Sequence, residues 1–246
     1  MRFNLNRIYT FLFVAAFAGV ASALETAPDY FLFKGAPGKK LAQTLTIKNS
    51  DAAPQRIALG FEPGKKTDAS LIDFSRAEFD LKGGESKKIT VTCRVPKAAG
   101  ELCGHLQVRA VPLGETAYEV RLKPEVCVQV EGTLVSDVAF AGLSAARNDS
   151  GLQVEANLRN VGNMKVAPKL VAYLDGQMAS DQGRVLSAQQ TVFFPEDQAA
   201  FTGVLPSQVS GLAQPKYQRI FVTAFYRAAD GQLMKKTESL IVEAKP

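Results

Sequence analysis

Ile89, Val91, Cys93 and Val95 alternate with Thr90, Thr92 and Arg94, and the same rhythm returns at Leu102, Gly104, Leu106, Val108 and Ala110. A period of two puts successive side chains on opposite faces of an extended strand, so each run predicts a strand with one buried face. Gly83-Gly84-Glu85-Ser86 precedes the first run, and Pro96 to Gly100 separates the two. Paired glycines reach backbone angles that other residues avoid, and proline cannot continue a ladder, so both segments predict reversals. A chain patterned this way is committed to sheets that hide one face.

The rhythm extends in both directions. Residues 29–34, 41–48, 56–61 and 78–81 read as earlier strands, and 118–131 reads as a later one interrupted by Pro124. Seven strands with turns every eight to twelve residues predict an immunoglobulin-like sandwich. Gly132-Thr133 reads as a boundary, after which the pattern restarts over 135–143, 152–159, 166–174, 185–187 with 191–194, 199–205, 217–226 and 233–242. Asp175-Gly176 and Asp230-Gly231 are expected hairpin turns. Only Gln189-Gln190 and the Ser207 to Gln214 region admit a short helical turn. The expected fold class is all-β, two consecutive immunoglobulin-like β-sandwich domains over 24–132 and 133–246.

Residues 1–23 read as a secretory signal peptide. Arg2 and Arg7 form its basic start, Phe11 to Val20 its apolar run, and Ala21-Ser22-Ala23 its cleavage site. The run is shorter than the ~20 apolar residues a spanning helix needs, so the chain is not expected to span a membrane. The expected location is the periplasm after cleavage behind Ala23, with secretion or the cell surface as the alternative.

Three cysteines in an exported chain permit one disulfide and one thiol. Cys93 keeps step with Ile89, Val91 and Val95 and is expected in the core. Cys103 and Cys127 are each out of step with their apolar neighbours and are expected to face outward. Counting back from the Leu113 to Thr116 turn places them opposite each other, which predicts a Cys103–Cys127 disulfide. Three unpaired thiols are the alternative, because many cross-strand positions miss disulfide geometry. On the first strand, alternation buries Phe31 and Phe33 and leaves Tyr30 and Leu32 outward.

His105 is the only histidine, on the face opposite Leu106 and Val108, and no nucleophile-elbow context surrounds it. The metal-binding C-x-x-C and H-E-x-x-H patterns and the phosphate-binding glycine loops are absent. No catalytic residue, metal site or cofactor is expected, and the chain is not expected to be an enzyme. Asp73, Glu78 and Asp80 read as a solvent face, and Asn148-Asp149-Ser150 as a polar turn. The 29 basic and 24 acidic residues are interspersed, and no face interleaves them with aromatics, so nucleic acid is not an expected partner. The absence of tryptophan argues against a carbohydrate platform.

Two segments carry a family resemblance. Leu81 to Pro96 (L-K-G-G-E-S-K-K-I-T-V-T-C-R-V-P) with Gly100 to Val108 (G-E-L-C-G-H-L-Q-V) resembles a strand and hairpin of the PapD-like pilus-chaperone superfamily. Leu158 to Lys169 (L-R-N-V-G-N-M-K-V-A-P-K) is similar to a turn in the second domain of such proteins. The resemblance implies two sandwiches set at an angle. It also implies a basic pair gripping a subunit's C-terminal carboxylate, and a last strand that pairs with the subunit by β-augmentation. In the matching strand end, Val126 to Gly132, Cys127 or a neighbour stands where the family has lysine, which makes this a non-typical member. The expected partner-binding edge comprises Arg121, Lys123, Val126, Val128 and Val130 on the last strand, with Tyr30 and Lys34 on the first. The expected function is an exported chaperone-like factor that assists assembly of pilus or surface proteins. Its expected partner is another exported protein, a pilin-like subunit or surface protein. The alternative is a structural or adhesive subunit of a surface fibre or layer.

Overall fold

The computed structural model describes residues 24–114, 118–148, 150–175, 183–188, 192–205 and 217–243. Residues 1–23, the Ser207 to Gln214 region, Gln189-Gln190 and Gly176 lie outside the described residues.

Alternation becomes two stacked pairs of sheets. The first half contains β1 (Leu24–Ala27), β2 (Tyr30–Gly35), β3 (Lys40–Asn49), β4 (Gln55–Pro63) and β5 (Ile72–Phe74). It continues with β6 (Glu78–Leu81), β7 (Ser86–Arg94), β8 (Glu101–Pro112), β9 (Val120–Leu122) and β10 (Glu125–Val130). One sheet runs β1-β3-β7-β5; the other runs β2-β10-β8-β4-β6, with β9 also on β8. Their inward faces form one core that includes Phe31, Phe33, Ile89, Val91, Cys93, Leu106 and Val128. Cys93 is the buried free thiol, and Phe31 and Phe33 are fully enclosed, so local parity reads correctly here.

The second half contains β11 (Val138–Asn148), β12 (Gly151–Asn160), β13 (Lys169–Leu174), β14 (Arg184–Leu186), β15 (Gln198–Leu205), β16 (Tyr217–Arg227) and β17 (Leu233–Glu243). Its sheets run β11-β12-β15 and β14-β13-β16-β17 around a second core that includes Leu158, Phe193, Phe201 and Ile220. No described helix is long and apolar enough to cross a membrane.

Both halves use the same lock at a strand end. Asn49, fully buried, donates its amide to the carbonyls of Ala53, Leu81 and Lys82 and accepts from the Asp51 N–H. Asn160, equally buried, donates to Met164 and Phe193 and accepts from the Gly162 N–H. A buried amide is tolerated only when its donors and acceptor are used, and these are.

Three segments differ from the sequence reading. Residues 24–27 form β1, and the supposedly irregular stretch 65–76 contains β5. The strand expected from Val135 starts at Val138, because the Val135 N–H and carbonyl are both bonded to Asn163.

Burial pushes the Cys93 thiol up to about 11. In the unfolded chain the thiol ionises first, near the ordinary ~8.5, so this group's contribution to stability is lost as pH rises through that interval. Titration with a chromogenic thiol reagent should find no reactive thiol in the native protein and one in denaturant. Cys93→Ala should flatten the alkaline fall in stability measured by urea unfolding.

Candidate functional site

The last strand of the first sandwich is two strands. Pro124 carries no N–H and breaks the ladder between β9 and β10. β8 spans both: Val108 to Ala110 pairs with β9, and Glu101 to His105 pairs with β10. On its other side β10 pairs in parallel with β2, Tyr30 opposite Glu125 and Phe33 opposite Val128.

This corrects part of the expected edge. Val126, Val128 and Val130 lie on an interior strand, and their side chains are buried in the core. Aspartate there would bury a charge, so such variants probe folding rather than binding. β9 differs, because among the described residues no strand pairs with its outer side. Val120 and Leu122 are half-buried against the core, and Arg121 is exposed.

Two of the three expected basic residues are already engaged. Arg121 Nη2 lies 2.7 Å from Glu119 Oε2, and Lys123 Nζ 2.7 Å from Glu62 Oε2. Hydrogen bonds from Lys123 and Gln107 hold the Glu62 carboxyl below the usual carboxylate range. Lys34 is exposed and makes no ion pair among the described residues. Tyr30 lies on β2, the terminal strand of its sheet, and its ring meets Lys165 beside a cleft between the sandwiches.

That cleft encloses about 380 Å³, between Cys103, His105 and Glu125 on one side and Asn163, Phe194 and Glu196 on the other. The Cys103–Cys127 disulfide forms its wall, joining residues directly opposite on β8 and β10 with their Cα atoms 4.2 Å apart. Cys127 is fully buried, which corrects its expected outward exposure: that face of the sheet turns toward the second sandwich. His105 is exposed, opposite Glu125 on one neighbouring strand and Glu62 on the other. Glu101, Cys103 and Cys127 approach as a metal-ligand group would. Both sulfurs are in the disulfide, however, and both Glu101 oxygens accept hydrogen bonds, so the group offers no free thiolate to an ion.

Lys165 crosses the cleft from the second sandwich. Its N–H donates to Glu101 Oε2 at 2.7 Å, and its Nζ lies 3.0 Å from Glu125 Oε1. The ammonium also sits over the Tyr30 and Phe194 rings, 5.2 and 5.4 Å from their centroids. Burial, with the Glu101 and Glu125 charges, raises the Tyr30 phenol above its ordinary range. Nearby, Gly100 N–H donates to Thr133 Oγ1 and Glu101 N–H to the Asn163 carbonyl. Gly100 has φ of 97°, and a Cβ there would lie 2.5 Å from the Asn163 carbonyl oxygen. Lys165, Phe194 and Glu101 were not singled out by sequence reasoning. The available signal was the Asn160 to Asn163 turn, which positions the segment that carries Lys165.

No protein-family model matches the chain, and no curated protein matches it in sequence. Solved structures do. A chain of the chaperone–tip adhesin complex of CFA/I fimbriae biogenesis is 14% identical, covering 91% of this chain and 100% of its own, with a TM-score of 0.51. The fold is that of the PapD-like pilus chaperones. The class 5 fimbriae chaperone CfaA is 15% identical over 91% of this chain and 99% of its own, with a TM-score of 0.49. The Pseudomonas aeruginosa CupB2 chaperone is 12% identical over 88% of this chain and all of its own, with a TM-score of 0.46. In this chain a lysine of the second sandwich meets two carboxylates of the first, Glu101 through its main chain and Glu125 through its side chain.

Removing the Lys165 side chain keeps the main-chain bond to Glu101 but leaves Glu125 without its counter-charge. Lys165→Met should cost about 1–3 kcal/mol in urea unfolding, of the order of a charged hydrogen bond. Gly100→Ala should cost a similar ~1–3 kcal/mol through a strained backbone.

Proposed function

We propose that this chain is a non-enzymatic, exported protein-binding factor, chaperone-like, that assists assembly of pilus or surface proteins. On this reading residues 1–23 are a signal peptide cleaved behind Ala23. The two sandwiches occupy 24–132 and 133–246, and the mature protein works in the periplasm.

The observation that carries the proposal is the open side of β9. β10 is covered by β2, but β9 emerges beyond Pro124 with a free backbone edge and two half-buried apolar side chains on alternate positions. A partner strand laid along β9 gains backbone hydrogen bonds and adds its own apolar side chains beside Val120 and Leu122, the β-augmentation mode. The shared fold with a chain of a chaperone–tip adhesin complex supports the same reading. The partner is another exported protein, a pilin-like subunit or surface protein with an unfilled core edge. The cleft then acts as a rigid joint, since its charges are internally paired.

Val120→Asp and Leu122→Asp place a charge where the partner strand must pack, at sites open enough for the chain to fold. In pull-downs from periplasmic extract, followed by titration of the captured protein, each should weaken binding more than about tenfold, or ~1.4 kcal/mol. Unchanged affinity in both folded variants sinks the strand-pairing reading. A purified protein that assembles into fibres by itself would favour the subunit alternative.

A further inference from the structure

The outer face of the β14-β13-β16-β17 sheet does not look like ordinary solvated sheet. Its alternation is fixed by the core: Ile220, Val222, Ala224 and Tyr226 of β16 point inward, so the odd-numbered residues point out. The four most exposed large apolar side chains among the described residues are Leu233, Ile241, Tyr217 and Val185, at 63%, 57%, 55% and 53%. By register all four belong to this one face. Single exposed apolar residues are common; here the four most exposed share one sheet face, separated from one another by polar and buried positions such as Lys235, Thr237 and Thr223.

Cations are interspersed among them. Lys169, Phe225 and Lys235 stand in register on three adjacent strands, which sets the two lysines about 10 Å apart on either side of the ring. Arg219 stands opposite Ile241, and Arg227 opposite Leu233. Lys169, Lys235 and Arg219 form no ion pair among the described residues, and Arg227 is held only by the Gly231 carbonyl. The acids here are Glu243, opposite Tyr217, and Asp175, whose N–H bonds the Arg219 carbonyl. The expectation that no face interleaves aromatics with cations is therefore corrected. Neighbouring strands bring Phe221 and Phe225 between lysine and arginine positions far apart in sequence.

We propose that this face docks on an anionic lipid surface. A second copy of the chain would oppose cation with cation. A sugar platform needs an open ring face, and Phe221 and Phe225 are half-buried. Aliphatic tips spread across the face, with cations between them, match a bilayer interface. There the tips enter the acyl boundary while lysine and arginine meet phosphate headgroups. The face lies on the second sandwich and is separate from the β9 edge, so it stands without the partner-binding reading.

The test is co-sedimentation of the full chain with vesicles of phosphatidylcholine, alone or mixed with phosphatidylglycerol, at low and high salt. Binding is expected only to the mixed vesicles and is expected to weaken with salt. The doubly substituted Lys169→Glu/Lys235→Glu protein should lose more than about tenfold in affinity. Leu233→Ser/Ile241→Ser, with the charges intact, should also bind more weakly, and thermal melting establishes that each variant is folded. The proposal is overturned by failure to bind the mixed vesicles, by equal binding to neutral ones, or by folded variants that bind like the parent. Binding to a single-stranded oligonucleotide or to polyglutamate without binding to vesicles reassigns the face to a polyanion or an acidic protein and also overturns it.

Discussion

Glu101 is the residue on which the arrangement of the molecule turns. Its side chain is nearly enclosed, and a carboxylate in such a place is tolerated only when its oxygens are bonded. One oxygen takes Gln129 from the neighbouring strand, and the other takes the Lys165 N–H from the second sandwich. Its own N–H goes to the Asn163 carbonyl. A single residue at the start of β8 thus ties its sheet to the adjacent strand and to the other sandwich. The Lys165 side chain, Gly100 and Thr133 surround that knot, and Lys66 with Glu196 adds an exposed pair 2.6 Å apart across the same gap. Exposed pairs of this kind contribute little, so the knot is the stronger of these contacts between the sandwiches.

The knot also explains why the cleft and the edge play different parts. Charges in the cleft are matched within the chain: Lys165 with Glu125, and Lys66 with Glu196. The edge at β9 has unmet backbone capacity instead. Edge strands are usually short, charged or covered, and this one is short, carries Arg121 and is followed by Lys123.

Much of the fold was legible because parity is a local property. Cys93, Phe31 and Phe33 take their places from their immediate neighbours, and the Cys103–Cys127 pairing follows from counting along one hairpin. The candidate site was legible only in part, because it depends on what lies beside a strand. The parallel pairing of β10 with β2 joins segments at opposite ends of the first sandwich, and no alternation within 118–131 reveals it. The same holds for Cys127, whose outward parity was read correctly while the sandwich turned toward it could not be seen. Lys165 gave no signal of its own, since its role depends on a turn that delivers it to carboxylates far earlier in the chain.

The placement of the disulfide relative to Pro124 has a mechanical consequence. β9 continues into β10 through the proline, and a few residues later Cys127 is covalently joined to Cys103 on β8. Tension applied along β9 by anything attached to it meets only Glu125 and Val126 of the parallel pairing with β2 before it reaches that cross-link. The load passes into β8, the central strand that contacts β4, β9 and β10. The outer half of the interrupted strand can therefore be peeled or sheared while the inner half holds its register, as a seam stops tearing at a rivet.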